Sequence, residues 1–150
     1  MTTVDKTPGC VLCKVRDGEE GGDRLLVHMA ELNFIVVNLY PYTSGHVMIA
    51  PHRHLKTLNS ATPEELSEMM ALARRLEEAM RQAYKPDALN LGMNLGRLAG
   101  AGVPDHIHLH VVPRWSGDTS FMTAVSNTRV IPEDPAEAAA RLRPFFGSSE

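Results

Sequence analysis

Apolar residues recur at helical spacing in the middle of the chain, at Leu66, Met69, Met70, Ala73, Leu76 and Met80, while Arg74, Arg75, Glu77, Glu78 and Arg81 mostly lie off that stripe. The pattern predicts an amphipathic helix whose apolar side packs on a sheet. Its ends are marked locally: Thr62 can cap, Pro63 suits the first helical position, Glu65 stands at capping-box spacing, and Lys85-Pro86 stops the helix. On either side the pattern changes to short runs rich in β-branched residues. LNFIVVNL (32–39) and HVMIAP (46–51), with YPYTSG between them, read as a β-hairpin. ALNLGMNL (88–95) and HIHLHVV (106–112) read as two further strands, joined by the glycine-rich GRLAGAGVPD, which can bring backbone N–H groups close to a ligand. A shorter apolar stretch, SFMTAV, and a terminal helix opened by Asp134 and Pro135 complete the chain. Strands gathered around one long helix, without regular βαβ alternation, predict an antiparallel α+β domain.

Size and charge narrow the picture. With 150 residues and 43% hydrophobic content, the expectation is one domain over residues 1–150, with 1–8 a flexible lead and 133–150 a C-terminal helix and tail. RDGEEGGDR (16–24) is expected to be an exposed turn or loop. The formal net charge of -3 provides no basic field to hold DNA or RNA, so any phosphate recognition is local. No signal-peptide core and no membrane-length apolar run is found, and a cytoplasmic chain without a membrane partner is expected. Cys10 and Cys13 are too few and too close in sequence for a secreted disulfide framework.

Three of the chain's seven histidines, His106, His108 and His110, occupy alternate positions in one predicted strand. On a strand they share a face, with Ile107, Leu109 and Val111 on the core side, and rings about 6.5–7 Å apart form a row. Three readings fit such a row: half-exposed histidines without function, metal ligands, or a neutral imidazole nucleophile whose neighbours manage protons.

The segment HIHLHVV fits the pattern His-φ-His-φ-His-φ-φ, φ being apolar, and so resembles the histidine triad (HIT) superfamily. NLYPYTSGHVMIAPHRH, NLGMNLG, VVPRWSGD, FMT and RVIP resemble the corresponding HIT blocks, most of all those of bacterial diadenosine tetraphosphate (Ap4A) phosphorylases and hydrolases. The resemblance implies a HIT-like fold, with an antiparallel sheet of about five strands, one long helix and a C-terminal helix. It implies an enzyme acting at the α-phosphate of a dinucleoside polyphosphate, by phosphorolysis or hydrolysis. His108 would then be the nucleophile that forms a nucleotidyl-histidine, with His110 and His46 at the phosphate.

By the same resemblance Asn38 faces the ribose and Asn94 the phosphate, and Gly102 and His106 border the substrate. On sequence alone Asn38 equally suits a turn cap, and Phe34 and Val36 suit either a purine slot or plain core. The chain departs from many HIT hydrolases in lacking a Ser or Thr ahead of the triad, where it has AGAGVPDH, so that Ala101 and Gly102 offer only backbone N–H groups. Many bacterial relatives pair a C-x2-C with two histidines, which here implies a structural zinc on Cys10, Cys13, His54 and His106, with His52 a competing ligand. Reduced cysteines without metal are the other reading. No organic cofactor is implied, and a homodimer is. A purine nucleoside phosphoramidase and a non-catalytic nucleotide-binding protein are the alternatives.

Overall fold

The computed structural model describes residues 9–38, 44–99, 106–117 and 133–147. Its strands are β1 (Leu26–Met29), β2 (Asn33–Val37), β3 (Val47–Pro51), β4 (Ala88–Met93) and β5 (Leu109–Arg114). They form one antiparallel sheet in the order β1-β2-β3-β5-β4. Four α-helices accompany it among the described residues: α1 (Val11–Arg16), α2 (Gly22–Leu25), α3 (Pro63–Tyr84) and α4 (Pro135–Leu142). The expected α+β architecture is what the chain adopts, with the hairpin of β2 and β3 at its centre.

The run Phe34–Val37 does not alternate because both faces of this hairpin are buried. Ile35, Val37, Val47, Ile49, Leu109 and Val111 join α3 and α4 in one core. Phe34, Val36, Met48 and Ala50 face the other way and pack with Leu12, Val15 and Leu25 from the N-terminal helices. Phe34 and Val36 are buried in this packing, as the plain-core reading expects.

Helix α3 begins and ends where its sequence signals stand. Glu65 N donates to Thr62 Oγ1 at 3.0 Å, and Thr62 N donates to Glu65 Oε1 at 2.8 Å, closing the capping box. The buried Glu65 carboxylate also receives Arg53 at 2.8 Å, and this hydrogen bond holds it below the usual carboxylate range against its burial. The apolar stripe is rotated from the expected one. Met69, Leu72, Ala73, Leu76, Ala79 and Met80 are buried, Leu66 is half-buried and Met70 is 59% exposed. The true face runs i, i+3, i+4, i+7 from Met69, and Met70, about 100° further round, falls outside it.

Two other expectations need correction. Strand β5 starts at Leu109, so His106 and His108 lie in the segment that leads into it. Ile107 N donates to Leu55 O at 2.8 Å, which fastens that segment to the loop after β3 instead. In RDGEEGGDR, Asp17–Glu20 are exposed as expected, but Arg16 and Gly22 are buried, and α2 with β1 follows directly. The terminal helix is opened by Asp134 and Pro135 and sends Ala138, Ala139 and Leu142 into the core. SFMTAV lies outside the described residues. No helix among the described residues is long and apolar enough to cross a membrane.

Gly22 is tightly constrained: a Cβ built on it would stand 2.1 Å from Val15 O. Gly22→Ala must push α2 off α1, and overpacking of this kind costs about 1–3 kcal/mol. Thermal melting should record the loss; an unchanged melting temperature would refute the packing.

Candidate functional site

Pairing of β3 with β5 sets Met48 opposite His110, which puts the His110 ring on the face away from α3. His46 stands one residue before β3 and Asn38 one after β2, and the backbone joins them where Asn38 N donates to His46 O at 3.0 Å. The side chains continue this link. Asn38 Nδ2 lies 3.0 Å from His46 Nδ1, and His46 Nε2 lies 2.9 Å from His110 Nδ1. With the amide N–H donating to Nδ1, His46 carries its proton on Nε2 and donates it to His110 Nδ1. His110 is then protonated on Nε2. Across the sheet Gly92 pairs with His110, and a Cβ there would meet nothing within 4 Å, so the flank of His110 is open.

His108 is ordered by a different bond. Its Nδ1–H donates to the carbonyl oxygen of His106 at 2.8 Å, which leaves the lone pair on Nε2. Its ring centroid lies 4.8 Å from that of His110. The group thus offers one nucleophilic nitrogen beside one N–H donor.

All of these rings are held in the neutral form. Burial, reinforced by His110 and His108, pushes His46 down to about 4. Burial and the neighbouring His108 push His110 down to about 4. Burial lowers His108 as well, opposed by its bond to the His106 carbonyl.

His106 turns its ring to a second cluster. Its Nε2–H donates to Pro51 O at 2.9 Å, so the Nδ1 lone pair faces Cys10 Sγ at 3.4 Å and Cys13 Sγ at 3.6 Å. His54 Nδ1 lies 3.4 Å from Cys13 Sγ. The four donor atoms all lie within 4.8 Å of one another. Tetrahedral coordination at about 2.0–2.3 Å sets donors roughly 3.3–3.8 Å apart, so two sulfurs and two imidazole nitrogens at this spacing fit a metal ion. Burial pushes the Cys10 thiol up to about 11, and a bound cation would reverse that. With both ring nitrogens of His106 engaged and its ring edge-on to His54 at 4.9 Å between centroids, its carbonyl is the group that hydrogen-bonds His108. His52 lies outside the cluster, its Nε2–H donating to Ala30 O at 2.8 Å while its ring stacks on Phe34.

Of the remaining candidates, Asn94 is half-buried just beyond β4, and Ala101 and Gly102 lie outside the described residues. One residue escaped the sequence reading altogether. Arg16, placed in an exposed loop, is buried beside the two thiols, where it donates to His52 O and to Asp17 Oδ1 at 2.8 Å. Its one sequence signal is its position three residues after Cys13 on the short helix that carries both.

Known proteins resemble the chain in sequence and in fold. The HIT domain model matches residues 22–117. An AP-4-A phosphorylase of Mycobacterium tuberculosis is 40% identical over 115 residues, covering 77% of this chain but 57% of that protein, so the chain spans little more than half its length. An uncharacterized HIT-like protein of Mycobacterium tuberculosis is 33% identical over 134 residues, 89% of each chain. The crystal structure of a Zn-bound histidine triad family protein from Mycobacterium smegmatis superposes with a TM-score of 0.73 at 29% identity, covering 91% of this chain and 92% of that one. With its triad on the edge of β5 and a domain match over most of its length, the chain belongs to the histidine triad (HIT) family.

Proposed function

We propose that the chain, as one HIT domain, is an enzyme that cleaves dinucleoside polyphosphates such as Ap4A at the α-phosphate, through a covalent nucleotidyl-histidine on His108. The observation that carries this reading is the bond from His108 Nδ1 to the His106 carbonyl, which leaves the lone pair of the neutral ring on Nε2, beside His110. The relative named as an AP-4-A phosphorylase supports the substrate class.

In the first step Nε2 bonds to the α-phosphorus, and the bond from phosphorus to the bridging oxygen breaks. ATP leaves with that electron pair. His110 Nε2–H donates to the phosphoryl oxygens, and His46 and Asn38 hold it in that tautomer. In the second step an acceptor attacks phosphorus and frees His108: water yields AMP, and inorganic phosphate yields ADP. Asn94 and the backbone of Gly102 complete the phosphate site in this reading, and Asn38 also reaches the ribose.

The same reading assigns a structural zinc to Cys10, Cys13, His54 and His106, supported by the Zn-bound relative. The ion would tie α1 to the segment carrying the triad. A homodimer is supported by the outer edge of β4 and by exposed Met70, Leu91 and Leu95.

Incubation of the protein with Ap4A should give an intact-mass adduct of one adenylyl group that is absent in His108→Ala. Turnover should rise with added phosphate and yield ADP. Rates indifferent to phosphate would sink the phosphorolytic version, and binding of AMP without any adduct would sink catalysis. Elemental analysis should find about one zinc per chain, as expected of a closed four-ligand site, lost in the Cys10→Ser, Cys13→Ser double variant together with thermal stability; metal retained there would remove the assignment.

Protons bear on stability too. His46 and His110 titrate near 6.5 when unfolded and at about 4 when folded, so the unfolded chain binds more protons between those values. Stability should be full above about pH 6.5 and fall as pH drops toward 4, less steeply in a His46→Asn, His110→Asn variant. Melting curves across that range decide, and equal slopes would refute the neutral-ring assignment.

A further inference from the structure

One cluster of charged and polar groups lies outside both histidine groups and touches the turn that leads into His46. Glu133 stands just ahead of α4, and its carboxylate is only 10% exposed. Oε1 accepts from the Tyr84 hydroxyl at 2.6 Å, and Oε2 accepts from Arg141 at 2.7 and 3.0 Å. The Glu133 backbone N–H donates to Ser44 Oγ at 2.9 Å. The Arg141 guanidinium also sits 5.2 Å from the centre of the Tyr84 ring.

The next residue of the turn is held from beneath. Gly45 has φ +79°, and a Cβ on it would stand 3.0 Å from Pro113 and 3.2 Å from the Tyr84 ring. Only a glycine resting on that ring satisfies both conditions. Tyr84, the last residue of α3, therefore supports the turn directly, and Glu133 holds Tyr84 by its hydroxyl and Ser44 by its side chain. The residue after Gly45 is His46, which meets His110 at 2.9 Å. Glu133 is itself anchored, because Ala138, Ala139 and Leu142 of α4 are packed in the core.

We propose that Glu133, acting with Tyr84 and Ser44, is a positioning residue for His46, so that the C-terminal helix fixes the proton-donating end of the histidine site. This rests on the function proposed above for its catalytic side. A plain C-terminal staple would leave the His46 ring indifferent to the cluster; a clamp would not, since small displacements of catalytic groups lower turnover steeply.

Nitrogen-15 histidine NMR, read with Ap4A kinetics, separates the two. Tyr84→Phe deletes one hydroxyl and keeps the ring under Gly45; Ser44→Ala deletes one acceptor. Both should shift the ring-nitrogen signals of His46 and His110, leave those of His54 in place, and lower kcat about 10-fold with KM changed less than about 2-fold. Glu133→Ala should behave likewise, and Glu133→Gln, which keeps an acceptor for Tyr84 and the backbone donor for Ser44, should stay within about 2-fold of wild type. Lower melting temperatures with unshifted His46 signals would overturn the clamp. A wild-type protein without turnover would refute the function instead, and the ring-nitrogen shifts alone would then decide the clamp.

Discussion

The hydrogen bond from His108 Nδ1 to the His106 carbonyl, 2.8 Å long, joins two groups of side chains that otherwise have separate chemistry. On one side it fixes which nitrogen of His108 carries the lone pair. On the other, the residue supplying the carbonyl is fully buried, with its Nε2 on Pro51 O and its Nδ1 toward two cysteines. A buried imidazole with two different partners has one tautomer and one ring orientation. The backbone of His106 is thereby immobilised, and His108 inherits that immobility through a single bond. A metal ion held by the Cys2His2 group would thus also stand behind the proposed nucleophile.

The frame around this bond is assembled so that errors in one element reach the others. Glu65 closes the capping box of α3 and pairs with Arg53 on the loop between β3 and His54. Glu68, one turn on, accepts from Asn33 Nδ2 at 2.8 Å and from Leu32 N at 3.0 Å, which ties the same helix to the start of β2. The helix therefore locates both strands of the hairpin, and the hairpin locates Asn38 and His46. Such half-exposed contacts fix the relative placement of the elements more than they add net stability, because solvent screens them.

Where the chain's local signals are strong, the sequence was a good guide. Thr62, Pro63, Glu65 and the Lys85-Pro86 stop mark α3, and the apolar runs mark the hairpin, because capping and burial act within a few residues. Met70 misled because two adjacent apolar residues do not say which lies on the stripe; the sheet beneath α3 decides that. The start of β5 was misread for a similar reason. Alternation predicts a shared face for His106, His108 and His110, but the bond from Ile107 to Leu55 and the pull of the cysteines turn His106 away before pairing begins. Arg16 had only its place three residues after Cys13 to mark it and Glu133 had no such mark, since His52 for the one and Ser44 and Tyr84 for the other are brought near by the fold. The resemblance to HIT proteins identified Cys10, Cys13, His54 and His106 as a set that spacing alone left unproven, and the structure brings all four donors together.

Burial gives the histidine group an electrostatic bias that bears on what it can bind. Rings held at about 4, as His46 and His110 are, are uncharged at neutral pH; a charge on His110 disfavours one on His46, and a charge on His108 disfavours one on His110. An arriving phosphoryl group changes the balance, because a nearby anion favours the charged form of an imidazole. Protonation is then coupled to ligand: an anion at the His110 end raises its affinity for a proton, and that proton in turn strengthens the hold on the anion. A neutral molecule gains nothing from this coupling. The overall charge of -3 supplies no general attraction for anions, so the proposed function relies on this local response together with the N–H donors beside it. For His108 it is burial that keeps the ring neutral, against the His106 carbonyl, which by accepting from Nδ1–H favours the doubly protonated form.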